Sequence, residues 1–226
     1  MPISSSLKPP KGVDRVTGNL QFVLLVLTPP DDPPGEAVAL LRMVDAGLQW
    51  VHVRKPAHKP HELARWLEAL PSSLRARCIL HSHPTLVQPY GLAGWHERDG
   101  IKNVSHTIPP GLHSRALHSA EAVHRSLNQY DRILFAPVFP SISKPDHGPA
   151  SPGEVENVST ILRQNPSQTR RARVFALGGI TPERLQAVAD WGFDGAALLG
   201  AIWLSPDPVT AFQSFQNRPI TSPVFS

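Results

Sequence analysis

The chain holds a single cysteine, Cys78, among its 226 residues, so no internal disulfide framework can brace it, and one thiol fits a reducing compartment. Long apolar runs are missing as well. The longest, Phe22 to Leu27, falls far short of the ~20 residues a helix needs to cross a bilayer. No charged and apolar leader opens the sequence; the Ser-, Pro- and Lys-rich residues 1–19 read as a disordered extension, and 216–226 as a tail. Dense Lys/Arg runs and aromatic-basic interleaving are absent, so the net charge of +4 suits an anionic small ligand and does not imply nucleic acid. These absences together lead us to expect a cytoplasmic protein without membrane or nucleic-acid partners. A Gly-x-Gly-x-x-Gly turn after the first strand is also lacking, which argues against a doubly wound open sheet.

What is present is regular alternation. Hydrophobic residues make up 41%, enough for a sizeable core. The length suits one (β/α)8 barrel, which takes roughly 200–250 residues. Strands are expected at Gln21–Leu27, Leu48–Val53, Arg77–Leu80, Ala93–His96, Leu112–Ala116, Arg132–Ala136, Arg173–Leu177 and Gly195–Leu199. Several are short continuous apolar runs, as parallel strands covered on both faces require. Helices are expected near Gly35–Ala46, Pro60–Leu70, Pro84–Tyr90, Ser119–Leu127, Pro152–Arg163, Pro182–Trp191 and Pro206–Gln213, with an irregular connection from Glu97 to Pro110. The 25 prolines cluster between these segments, at Pro29-Pro30, Pro33-Pro34 and Pro109-Pro110, and punctuate one domain without dividing it. The expected fold is therefore α/β, a single (β/α)8 TIM barrel over residues 20–215.

Strands seven and eight end in glycine, at Gly178-Gly179 and at Leu199-Gly200. Such turns let backbone N–H groups approach phosphate oxygens with no Cβ in the way, and the last two loops of a barrel commonly form a phosphate cup. Thr181 and Pro182 are placed to cap and open the helix that follows. Plain tight turns would use glycine in the same way. The short basic cluster Arg170-Arg171-x-Arg173 reads as a solvated lead-in to strand seven.

Polar side chains gather at the carboxyl ends of the strands, the active face of a barrel. Strand two ends His52-Val-Arg54, with both polar groups on one face by the two-residue period; strand three runs into His81-Ser82-His83 with matched parity. His96 closes strand four, His118 follows strand five, and Ser141-Ile-Ser143-Lys144 lies beyond strand six. Structural hydrogen bonding would account for any one histidine, and an ion pair for Arg54. Their joint placement on one rim favours function.

The segments Val51-His52-Val-Arg54, Leu117-His118-Ser119-Ala-Glu121-Ala122, Phe135-Ala-Pro137 through Pro145, Ala176-Leu-Gly178-Gly179-Ile180-Thr-Pro182 and Gly195 through Gly200 resemble the thiamine phosphate synthase and thiazole tautomerase superfamily. The likeness runs over roughly residues 20–215. It implies a barrel that binds thiazole phosphate, often as a homodimer. In the synthases, a hydroxymethylpyrimidine diphosphate joins a thiazole phosphate with Mg²⁺ assisting and diphosphate leaving. The synthase Gln-x-Arg-x-Lys grip here reads His52-Val-Arg54-Lys55-Pro56, while the Thr-x-Thr-Lys loop survives as Ser141-Ile-Ser143-Lys144. The synthase Asn-Asp pair after strand three is replaced by His81-Ser82, and Asp99 lies near a second acidic position but out of register. No metal ligand set is expected on that basis; Mg²⁺ enters only with synthase activity. The tautomerase histidine after strand six is Pro137 here, which leaves His81, His83 and His118 as candidate acid-base groups.

The resemblance thus implies a thiamine-pathway protein that binds phosphorylated thiazole, with pyrimidine diphosphate as the second substrate of a synthase. Anion contacts are expected from His52, Arg54, Ser141, Ser143 and Lys144, and from the backbone around Gly178, Gly179, Leu199 and Gly200. A thiazole tautomerase and a non-catalytic thiazole phosphate-binding relative stay open beside the synthase. So does a metal-dependent barrel hydrolase built on His81-x-His83.

Overall fold

Apolar runs too short for buried helices alternate with amphipathic stretches, and the computed structural model, which describes residues 22–98, 109–140 and 152–221, closes them into an eight-stranded parallel barrel. The order is β1 (Val23–Leu27), α1 (Glu36–Asp45), β2 (Trp50–Val53), α2 (Pro60–Glu68), α3 (Ser72–Arg75), β3 (Cys78–Leu80), β4 (Gly94–Glu97), β5 (Leu112–Leu117), α4 (Ala120–Ser126), β6 (Arg132–Phe135), α5 (Pro152–Gln164), β7 (Arg173–Leu177), α6 (Leu185–Asp190), β8 (Gly195–Leu198), α7 (Gly200–Trp203) and α8 (Pro208–Gln216). Each strand pairs with the next, and β1 pairs with β8 from Val23↔Gly195 to Val26↔Leu198, which closes the ring.

The two-residue period of the strands divides the core into two layers. Val23, Leu25 and Leu27 of β1 point into the bore with Leu134, Phe175 and Ala197. Their neighbours Val26, Val51, Val53, Leu80, Ile133, Phe135, Val174 and Leu198 face outward into the shell of helices. Each such fully buried side chain contributes about 1.5–3 kcal/mol. Helix α2 starts at Pro60, where the Lys59 N–H donates to Glu62 Oε2 at 2.7 Å, the glutamate half of a capping box, and buries Leu63 and Leu67 one turn apart. Helix α8 is capped by Asp207, whose carboxylate accepts from the amides of Val209 and Thr210 at 2.9 and 3.2 Å.

The strand ends fall within two residues of the expected ones. Four local expectations are corrected. The helix foreseen at Pro84–Tyr90 is a single 3₁₀ turn, Pro84–Leu86. Helices α3 and α7, four residues each, had no periodic signal to announce them. Thr181 stands before Pro182 as foreseen, yet its side chain makes no capping bond. The basic cluster before β7 is solvated only at Arg171. Arg170 lies 2.8 Å from Asp194, both almost wholly buried; Arg171 pairs with Asp131 at 3.0 Å; and Arg173 donates to the Asp194 carbonyl at 3.1 Å. The bases of β6, β7 and β8 offer carboxylates and carbonyls at that level, and the arginines tie them together. No helix among the described residues is long and apolar enough to cross a membrane.

Candidate active site

A cavity of about 430 Å³ opens at the carboxyl ends of the strands, with Arg54, His81, His96, Arg98, His118 and Leu177 in its walls. Leu177, the residue before the Gly178-Gly179 bend, reaches this wall, whereas Gly178, Gly179, Leu199 and Gly200 are not among the described residues that line it.

Arg54 leaves the end of β2, where its own amide donates to Thr28 Oγ1 at 2.8 Å. Its side chain is exposed and has no carboxylate partner among the described residues. Lys55 turns the opposite way. It is buried against α1, with Nζ 2.8 Å from both oxygens of Glu36 and 2.9 Å from Asp32. Burial pushes the Glu36 carboxyl above its ordinary value, an effect the Lys55 ammonium only partly offsets.

Three histidines meet in the bore. His52 of β2 is fully buried, and its Nδ1 lies 3.0 Å from Nε2 of His81, the residue after β3. His96 of β4 stacks on His81 with ring centroids 4.0 Å apart, and its Nδ1 is 2.8 Å from Ser114 Oγ on β5. Burial first, then the neighbouring His96 and the cationic arginines, holds both His52 and His81 well below the ordinary imidazole range. Both rings are therefore neutral near pH 7.

His83 does not join them. The strand stops at Leu80, His83 takes a left-handed conformation at φ 53°, and its Nε2 lies 2.9 Å from the His58 carbonyl oxygen. The parity expected of His81 and His83 fails because the extended backbone ends before it reaches the second histidine. His118 does reach the mouth. Its Nδ1 is 2.6 Å from the Ala136 carbonyl oxygen, which can only accept, so the neutral ring carries its proton on Nδ1 and its lone pair on Nε2.

Gly178 and Gly179 adopt φ of 102° and 62°. A Cβ on Gly179 would stand 2.3 Å from the Pro140 carbonyl oxygen and 2.7 Å from Phe139 Cβ. Glycine is thus demanded by the close passage of the chain after β6, whatever else the turn does. The carbonyls of Leu177 and Gly178 accept from Val138 and Phe139 at 3.0 and 3.2 Å. The amides of Gly179 and Gly200 have no acceptor among the described residues, and Leu199 stands at the N-cap of α7. Ser141, Ser143 and Lys144 lie outside the described residues.

Three polar wall residues were given no role from sequence: His96, placed there only as the end of strand four, and Glu97 and Arg98. For His96 a signal existed, since it alternates with the outward-facing Trp95 as His52 does with Val51. Glu97 is engaged by its neighbours, with Arg115 at 2.9 Å, His113 at 3.1 Å and the Tyr130 hydroxyl at 3.2 Å.

Comparison with known proteins agrees with this layout. The family described as thiamine monophosphate synthase matches residues 24–202. A thiamine-phosphate synthase of Bacteroides fragilis (strain ATCC 25285) is 27% identical over 188 residues, 77% of this chain and 88% of that protein. One from Synechococcus sp. (strain CC9605) is 29% identical over 191 residues, 81% of this chain and 51% of its own. The crystal structure of thiamine phosphate pyrophosphorylase from Bacteroides thetaiotaomicron superposes with a TM-score of 0.69 at 25% identity, covering 86% of this chain and 94% of that one. At 17% identity, thiamine phosphate pyrophosphorylase from Pyrococcus furiosus shares the fold with a TM-score of 0.66, over 86% and 94% of the two chains. With the match running from the first strand through the last glycine turn, the chain belongs to the thiamine monophosphate synthase family, as a divergent member at these identities.

Proposed function

We propose that this barrel binds a phosphorylated thiazole of thiamine biosynthesis in the cavity at its strand ends. The observation that carries the reading is Arg54, an exposed cation on the cavity wall with no carboxylate partner among the described residues. An anion there gains charge-assisted hydrogen bonds without displacing a carboxylate of the described residues. The phosphate would lie on the N–H groups around Gly179 and Gly200, where glycine leaves the backbone open. Lys144, with Ser141 and Ser143, would hold the second anionic group.

By family the reaction joins the thiazole phosphate to a pyrimidine diphosphate and releases diphosphate. The family's magnesium fits this donor set poorly. Mg²⁺ takes oxygen ligands in a strict octahedron. Glu97 is the only carboxylate among the described cavity-wall residues, and Arg115, His113 and Tyr130 already engage it; Asp99 lies outside the described residues. His81 and Ser82 offer an imidazole and a neutral hydroxyl instead. Proton transfer on the thiazole is a second reading, and His118 favours it: its Nδ1 contact with the Ala136 carbonyl makes Nε2 the basic nitrogen.

The test is titration calorimetry with thiazole phosphate, beside turnover assays offering the pyrimidine diphosphate and the unaromatised thiazole carboxylate, each with and without Mg²⁺. Saturable binding is expected, weakened at least tenfold in Arg54→Ala and in Lys144→Ala, as loss of a hydrogen bond to a charged group implies. Absence of binding in the wild type, or equal affinity in both variants, would end the proposal. Which turnover assay yields product assigns the reaction.

A further inference from the structure

We propose that His52, His81 and His96 form a binding site for one divalent transition-metal ion of the zinc class, open on its fourth side to the cavity. A ligand nitrogen from each ring can be chosen so that all three lie within 4.8 Å of one another. A tetrahedral ion with metal–nitrogen bonds of about 2.0–2.1 Å needs those nitrogens about 3.4 Å apart, so the rings must close by up to about 1.4 Å. The pair His52 Nδ1 and His81 Nε2, at 3.0 Å, already meets that spacing. His96 supplies the third ring, stacked on His81 with centroids 4.0 Å apart, and its Nδ1 lies 2.8 Å from Ser114 Oγ. This is the outer hydrogen bond that ligating histidines generally make.

One further observation fits. His52 Nε2 is a buried nitrogen without a hydrogen-bond partner among the described residues, so this ring can offer either nitrogen to an ion. The ion's identity follows from the donors. All three are imidazoles, and Arg54 and Arg98 stand nearby on the cavity wall, so affinity must come from nitrogen lone pairs rather than from anionic charge. Zinc, cobalt and copper accept such ligands; magnesium does not. Three histidines with the fourth position facing a cavity are the pattern of a site that presents water or substrate to its metal, not of a closed structural one. This site differs from the His81-x-His83 pair considered from sequence: it keeps His81 and takes its partners from β2 and β4.

Metal uptake is measured without any thiazole, so its outcome is independent of the ligand proposed above. The full chain, stripped with chelator and dialysed, is titrated with Zn²⁺ by calorimetry and with Co²⁺ in the visible range. One ion per chain is expected, with the intense cobalt absorption of low coordination number, unaffected by millimolar Mg²⁺. His52→Gln, His81→Gln and His96→Gln should each lose more than about 100-fold in affinity, and Ser114→Ala about tenfold, as outer-shell changes do. His83→Ala should bind as the wild type does. Circular dichroism checks that each variant is folded, and the wild-type cobalt spectrum stands whether or not they are. No stoichiometric uptake by the wild type, full affinity in folded variants of the trio, or loss in His83→Ala would each overturn the assignment.

Discussion

Replacing Lys55 by methionine should destabilise the fold by about 3–5 kcal/mol, the usual cost of leaving one member of a buried ion pair alone. The Lys55 and Glu36 side chains are 0% and 3% exposed and 2.8 Å apart, so the carboxylate left behind could not be solvated. Asp32 at 2.9 Å would lose the same partner, but it is 48% exposed and retains water and His58 at 2.8 Å. The double variant Glu36→Leu, Lys55→Met removes both desolvation burdens at once. It leaves Trp66 Nε1, 3.3 Å from Glu36 in the wild type, without its acceptor and the Asp31 carbonyl without the Lys55 donor, a loss of about 1 kcal/mol each, while the exposed Asp32 turns to water and His58. Its stability should therefore return to within about 1–2 kcal/mol of the wild type, far from the sum of the single effects. Equilibrium urea unfolding followed by tryptophan fluorescence measures all three variants. A single Lys55→Met change costing under about 1 kcal/mol, or a double variant as unstable as the two singles added, would refute the reasoning. The result also bears on function, because a lysine committed to α1 cannot serve as the last cation of the anion grip next to Arg54.

Gly179→Ala should cost about 2–4 kcal/mol, combining a left-handed backbone at φ 62° with a Cβ only 2.3 Å from the Pro140 carbonyl oxygen. Gly153→Ala, with no atom within 4 Å of the new methyl group, is the control and should leave the urea midpoint unchanged or slightly raised. Cys78 provides a pH test. Burial pushes its thiol from 9.0 up to about 12, so the folded chain retains a proton that the unfolded chain gives up. Its stabilising contribution is complete below pH 9.0 and is lost as pH climbs towards about 12, at about 1.4 kcal/mol per unit. Unfolding at pH 8 and pH 10 should show that decline in the wild type, and Cys78→Ala should lack it; equal slopes in both would contradict the burial argument.

The barrel was legible because its strands are apolar on both faces and its helices carry their own start signals, such as Pro60 behind Lys59 and Pro208 behind Asp207. Elements of a single turn were not, since α3 after α2 and α7 after β8 are four residues each, too short for a period to show. Parity worked where the strand was regular, as at His52 and Arg54, and failed one turn later at His83. The meeting of His52, His81 and His96 lies beyond a linear reading. It joins three strands whose side chains approach only when the sheet has curved shut. For the same reason Arg170 looks solvated in sequence and is found beside Asp194, which comes one whole β/α unit later.

The bore of the barrel is unlike on its two flanks. Hydrocarbon from β1, β6, β7 and β8 fills one side, and imidazoles from β2 to β4 line the other. Substitutions on the first flank tax the scaffold; those on the second exchange the reagents while the staves stay in place. A lineage can in this way overhaul its chemistry a strand at a time and still pass for its relatives in outline.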